Sequence, residues 1–122
     1  ADFAQEYMDG CPGMVHSSNA VRSNPSRFNF SVVGENLAAG TSGAYGVTTG
    51  GQISTAAWVN EKHDWTYPRT CASGAVCGHY TQVIWAATTK VGCGYRNCPS
   101  QPFRNYWSCI YGIAGNWGGQ AP

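Results

Sequence analysis

The chain has 122 residues, a net charge of +1 and only 11% charged residues, against 16 glycines, 13% aromatics and six cysteines. A chain of this size buries roughly 65–70% of its extended surface, enough for one domain with its own core. The weak charge excludes the clustered basic face of a nucleic-acid-binding protein, and no apolar stretch approaches the ~20 residues of a membrane-spanning helix. The cysteines (Cys11, Cys71, Cys77, Cys93, Cys98 and Cys109) include no C-x-x-C pair of the kind most structural zinc sites use. They read as a disulfide framework, which places the protein in an oxidising, extracellular setting. Composition alone leaves their pairing open.

In chain order, Ala1–Asp9 is in helical period from the outset, with Phe3, Ala4, Tyr7 and Met8 on one face and no capping residue ahead of them. It reads as the C-terminal part of a longer first helix that ends near Met8, with Gly10 in the left-handed conformation that closes many helices. Cys11–Asn36, with Pro12, Pro25 and many Ser and Asn, reads as irregular. Within it Asn29-Phe30-Ser31 is a glycosylation sequon, which makes Asn29 a modification candidate. Gly40–Gly51 reads as a Gly- and Thr-rich loop. Gln52–Trp65 reads as a second helix, with Ser54, Trp58, Glu61 and Trp65 on one face. A loop over Tyr67–Cys77 and a short helix over His79–Ala86 follow. Val91–Tyr95 and Phe103–Tyr111 read as strands; in the second, Trp107, Cys109 and Tyr111 share one parity and Tyr106, Ser108 and Ile110 the other. Gly112–Pro122 reads as coil. Helices plus a small antiparallel sheet make an α+β domain spanning 1–122.

Gly78-His79-Tyr80-Thr81-Gln82-Val83-Ile84-Trp85 closely resembles the first diagnostic motif of the CAP superfamily, which comprises the cysteine-rich secretory, antigen 5 and pathogenesis-related 1 proteins. Gly34-Glu35-Asn36-Leu37 resembles its G-E-N element, and Trp58-Val59-Asn60-Glu61 its glutamate-bearing helix. Tyr106–Tyr111 with Gly115-Asn116-Trp117 resembles its second long motif, departing at Ile110 and Ile113. The resemblance implies a disulfide-stabilised three-layer α-β-α sandwich. From the cysteine order of the pathogenesis-related 1 type it further implies pairs Cys11–Cys93, Cys71–Cys77 and Cys98–Cys109.

The resemblance also implies a cleft lined by two histidines and two glutamates, carried over as His16, Glu35, Glu61 and His79. Two neutral imidazoles suit Zn²⁺ or another divalent cation, and a carboxylate on the outward N–H of each ring would fix its tautomer. The same four residues can equally form a hydrogen-bonded network that holds loops together without a metal. His63 matches no motif histidine and reads as a surface residue. Ser17, next to His16, does not make a catalytic dyad by adjacency, since neighbouring side chains on extended chain point oppositely.

The function implied is that of a secreted, monomeric, non-enzymatic protein of defence or host interaction. Its partner would be a sterol, another lipid or an extracellular protein. Sterol-binding members carry a loop of spacing Φ-x-Φ-x4-Φ (Φ aromatic); here Trp65 and Tyr67 fill the first two positions and Ala72 stands at the third. The alternative is a metal-dependent hydrolase or protease that uses His16, His79 and Glu61, with Glu35 in support. A venom-type ligand acting by surface contact is a third possibility, of a branch that usually appends a second cysteine-rich domain.

Overall fold

A computed structural model describes residues 1–41 and 47–122. Three antiparallel strands form its main sheet: β1 (Val33–Gly40), β4 (Lys90–Asn97) and β5 (Asn105–Gly112), in the order β1-β5-β4. A second sheet pairs the short β2 (Trp65–Thr66) and β3 (Thr70–Cys71). The helices are α1 (Asp2–Asp9), the single turns α2 (Asn19–Arg22) and α3 (Pro25–Phe28), α4 (Val47–Asn60) and α5 (Gly78–Val83).

The central strand β5 is buried at every position, so its two parities meet two different layers. Tyr106 packs with Met8, Leu37 and Cys98, and Ile110 with Ala4 and Val33, all on the side of α1. Cys109 and Tyr111 pack with Trp58 of α4, against which Val83 of α5 also rests. The result is the expected α-β-α sandwich, and the expected parity of β5 holds. Two glycines set its thickness. A Cβ at Gly94 would overlap the backbone of Ala4 and Gln5, so only glycine lets α1 lie on β4, and a Cβ at Gly50 would overlap the Trp107 ring.

Several boundaries differ from the sequence reading. The left-handed residue after α1 is Cys11, at φ 48, whereas Gly10 is right-handed at φ −78. Cys11 is held there by its disulfide and by the Gln101 amide, which donates to its carbonyl at 3.0 Å. The segment expected to be irregular contains α2 and α3, capped by the Ser18 and Asn24 side chains, and the start of β1. β1 is rich in Gly, Ala and Asn, which single-residue preferences place outside strands; its pairing with β5 overrides them. Helix α4 begins within the expected glycine loop, of which residues 42–46 lie outside the described residues. It ends at Asn60, and Glu61–Asp64 continue as a 3₁₀ turn. β5 starts two residues later than expected because Arg104, at φ 68, still belongs to the turn.

The disulfides are Cys11–Cys98, Cys71–Cys77 and Cys93–Cys109, so two of the three expected pairs exchange partners. The register explains the exchange. Cys93 and Cys109 are direct cross-strand partners between β4 and β5, with Cα atoms 4.1 Å apart, which leaves Cys93 out of reach of Cys11. Cys98 lies just past β4, where the chain end of α1 brings Cys11 to a Cα separation of 5.8 Å.

Candidate functional site

The site straddles the edge strand β1. Glu35 and Asn36 are successive residues, so they project to opposite faces of the sheet. Glu35 faces the loop after α1, and Asn36 faces α5. A cleft of about 230 Å³ at this edge is lined by His16, Glu35, Asn36, Gly78, His79 and Asn116. The structure therefore brings both motif histidines to one cavity, although they come from a loop and a helix far apart in sequence.

Each histidine is backed by its own glutamate. His16 Nδ1 lies 2.7 Å from Glu35 Oε1, and His79 Nδ1 lies 2.6 Å from Glu61 Oε1. An ionised carboxylate only accepts, so each Nδ1 carries the proton and Nε2 is left as the free ring nitrogen. The Glu35 side chain is fully buried, whereas that of His16 is 54% exposed. Glu35 also accepts the Ser17 backbone N–H at 2.9 Å on Oε1 and the Ser17 hydroxyl at 2.8 Å on Oε2. The Ser17 hydroxyl thus donates to Glu35, as befits a loop anchor.

On the other face, the second oxygen of Glu61 accepts the Tyr80 backbone N–H at 2.9 Å. The His79 ring stacks on Trp58 with centroids 6.0 Å apart and planes 13° from parallel. Glu61, first residue of the 3₁₀ turn after α4, and Trp58 one turn earlier therefore hold the same ring from two directions. Asn36 closes the arrangement by donating to the His79 carbonyl at 3.1 Å and to the Tyr111 hydroxyl at 3.4 Å. Burial pushes the Tyr111 phenol up to about 12, with the Asn36 bond pulling the other way. Burial also raises the Tyr7 phenol, helped by the Glu35 charge and opposed by Arg22.

Among the described residues no group of three or more His, Cys, Asp or Glu side chains is arranged to hold a metal ion. A divalent cation here would have two imidazole Nε2 ligands, with water completing its shell. The hydrogen-bonded Nδ1 atoms suit such a role. His63 is exposed, as expected, and takes no part. Sequence reasoning passed over two contributors: Asn36, although it stands in the quoted motif, and Asn116, at φ 60, whose amide bonds the Gly78 carbonyl at 2.8 Å and the Thr81 hydroxyl at 2.6 Å.

A family model described as CAP, the cysteine-rich secretory protein family, matches residues 1–111. The chain belongs to the CAP family. Within it the chain is of the pathogenesis-related 1 type. It is 39% identical over 92 residues to pathogenesis-related leaf protein 4 of Solanum lycopersicum, covering 73% of this chain and 52% of that protein. It is 35% identical over 126 residues to a PR-1 type pathogenesis-related protein of Sambucus nigra, covering 100% of this chain and 65% of that protein. This CAP chain therefore spans between about half and two thirds of the length of these relatives. The solved venom allergen-like protein 4 of Schistosoma mansoni shares the fold, with a TM-score of 0.65 at 22% identity over 95% of this chain and 64% of that one. Three disulfides fit an extracellular protein.

Proposed function

We propose that this CAP protein is a secreted, non-enzymatic binder of a sterol or another lipid, acting in defence or host interaction, with a two-histidine cleft that takes a divalent cation reversibly. The observation that carries the lipid reading is a cavity of about 450 Å³ under the 65–78 loop, into which Trp65, Trp85 and Trp117 all face. This size falls within the usual range for small-molecule sites, and aromatic walls with a few polar groups are their usual lining. Trp65 contributes its ring to this wall; its indole N–H is buried and has no hydrogen-bond partner among the described residues. Of the aromatic-spaced loop only Trp65 serves the cavity; Tyr67 is 72% exposed and Ala72 is exposed as well. The affinity expected for a sterol is correspondingly modest.

The non-enzymatic part of the reading rests on the donor set. Hydrolytic zinc sites hold the ion with three protein ligands and leave one position for water. Here two imidazoles are on offer, and both glutamates are committed to ring and backbone N–H groups.

Tritiated cholesterol and ergosterol, titrated at micromolar protein, test the lipid reading. Saturable binding that Trp65→Ala weakens is expected. Failure of both sterols and of a fatty acid to bind would sink it.

A further inference from the structure

We infer that Arg22 makes the part of the cleft beside His16 a subsite for a carboxylate carried on a small apolar body. A second cavity of about 340 Å³ adjoins the two-histidine cleft and shares His16, Glu35 and Asn116 with it. Arg22, half-buried, lines this cavity. Its guanidinium is fixed by two neutral acceptors: Nε donates to the Ser17 carbonyl at 3.1 Å, and Nη2 donates to Asn19 Oδ1 at 2.7 Å. Nη1 takes part in neither bond.

The unpaired guanidinium gives the ligand its sign. Arg27 and Arg96 form ion pairs with Glu6 and Asp9 on the surface, but among the described residues no carboxylate lies within ion-pair distance of Arg22. Glu35, the one acid lining either cavity among the described residues, keeps its charge but turns both oxygens to His16 and Ser17 rather than to Arg22. A pre-positioned guanidinium without a counter-ion at the wall of a cavity matches the planar fork of a carboxylate.

The rest of the wall gives the ligand its body. Val32, Val33, Ala114 and Trp117 supply apolar surface next to Arg22. The Trp117 ring is held by its N–H, which donates to the Ala114 carbonyl at 2.8 Å, and it remains 45% exposed as a platform. One guanidinium beside apolar walls suits a singly charged anion better than a phosphate, whose second charge would meet no cation there. The subsite shares Asn116 and Trp117 with the Trp65 cavity but adds Arg22 and needs no metal, so its test is the acid-over-amide preference and the loss of that preference in Arg22→Gln, neither of which the lipid reading predicts.

The test titrates N-acetylleucine, its uncharged twin N-acetylleucinamide, and octanoate into the protein by calorimetry at neutral pH, with the Trp117 indole N–H followed by NMR. A charge-assisted hydrogen bond is worth enough to favour the acid over the amide by about tenfold or more. Arg22→Gln is expected to abolish that preference and leave the amide unaffected, Arg22→Lys to keep part of it, and Lys90→Gln to change nothing. Tighter binding of N-acetylleucine assigns the ligand to peptide C-termini, and tighter binding of octanoate to fatty acids. Equal binding of acid and amide by the wild type overturns the proposal, as does wild-type affinity for the acid in Arg22→Gln. Should Arg22→Gln not fold, the acid-to-amide ratio in wild type and Arg22→Lys decides.

Discussion

Glu61 holds His79 at both ends of its own residue boundary: one carboxylate oxygen meets His79 Nδ1 at 2.6 Å, and the other meets the Tyr80 backbone N–H at 2.9 Å. The carboxylate thus sets the ring orientation and the start of α5 together. Glu61→Gln keeps an acceptor but loses the charge that favours the Nδ1–H tautomer. Loss of such a supporting partner typically lowers metal affinity by about 10–100-fold. Calorimetric Zn²⁺ titrations of wild type, Glu61→Gln and His79→Ala should show that order of weakening. Equal binding by wild type and His79→Ala would remove the cation from the proposed cleft.

Glu35 and Glu61 differ in what their removal leaves behind. The Glu35 carboxylate is fully buried and accepts three hydrogen bonds, whereas that of Glu61 is 16% exposed and accepts two. Each unsatisfied buried polar group costs about 1–3 kcal/mol. Glu35→Ala is therefore expected to destabilise by about 3 kcal/mol or more, and more than Glu61→Ala. Urea denaturation of the two variants checks the order.

The layers and the site were legible in unequal measure. Patterns with strong local signals survived: the helical face Phe3–Met8, the parity of β5, and the motif residues that place His79 and Glu61. What failed depends on partners distant in sequence. β1 is a strand because β5 pairs with it, and Gly34, Asn36 and Gly40 give no local hint of that. α4 reaches back over Gly50 because the Trp107 ring fills the space a side chain would take. Arg22 reaches the cavity beside the cleft because α2 folds it against the Ser17 carbonyl. The disulfide pairing turned on a strand register that cysteine order does not encode.

That register makes a covalent prediction. Proteolysis without reduction should release linked peptides carrying Cys11 with Cys98 and Cys93 with Cys109; a Cys11–Cys93 peptide would refute the register. In the chain-entropy model the bridges, with separations of 87, 16 and 6 residues, contribute about 4–5, 3 and 2 kcal/mol. The Cys11→Ala/Cys98→Ala variant should consequently lose the most stability of the three double variants.

Gly94 and Gly51 offer a matched pair. Alanine at Gly94 drives a methyl group into the α1 backbone, and overpacking of this kind typically costs about 1–3 kcal/mol. Alanine at Gly51, inside α4, meets nothing within 4 Å among the described residues and should stabilise by roughly 0.5–1 kcal/mol through helix propensity. Thermal melts moving in opposite directions are the expected result, and melts moving together would contradict the close packing of α1 on β4.

Tyr111 gives the fold an alkaline limit. Its phenol, 7% exposed and weakly bonded to Asn36, titrates near 12 in the folded protein and near 10 when unfolded. The folded state holds the proton more tightly, so the contribution to stability is full below pH ~10. Above that, the unfolded chain has released its proton while the folded one retains it, and stability falls until pH ~12. A shift of this size corresponds to about 2–3 kcal/mol. Tyr111→Phe removes the titrating group and should flatten the decline across that window, leaving a smaller slope from Tyr7, which shifts the same way. Urea midpoints measured from neutral to strongly alkaline pH, with tyrosinate absorbance followed in parallel, distinguish the two proteins. An unchanged slope in Tyr111→Phe would show that the alkaline loss originates elsewhere than in this buried phenol.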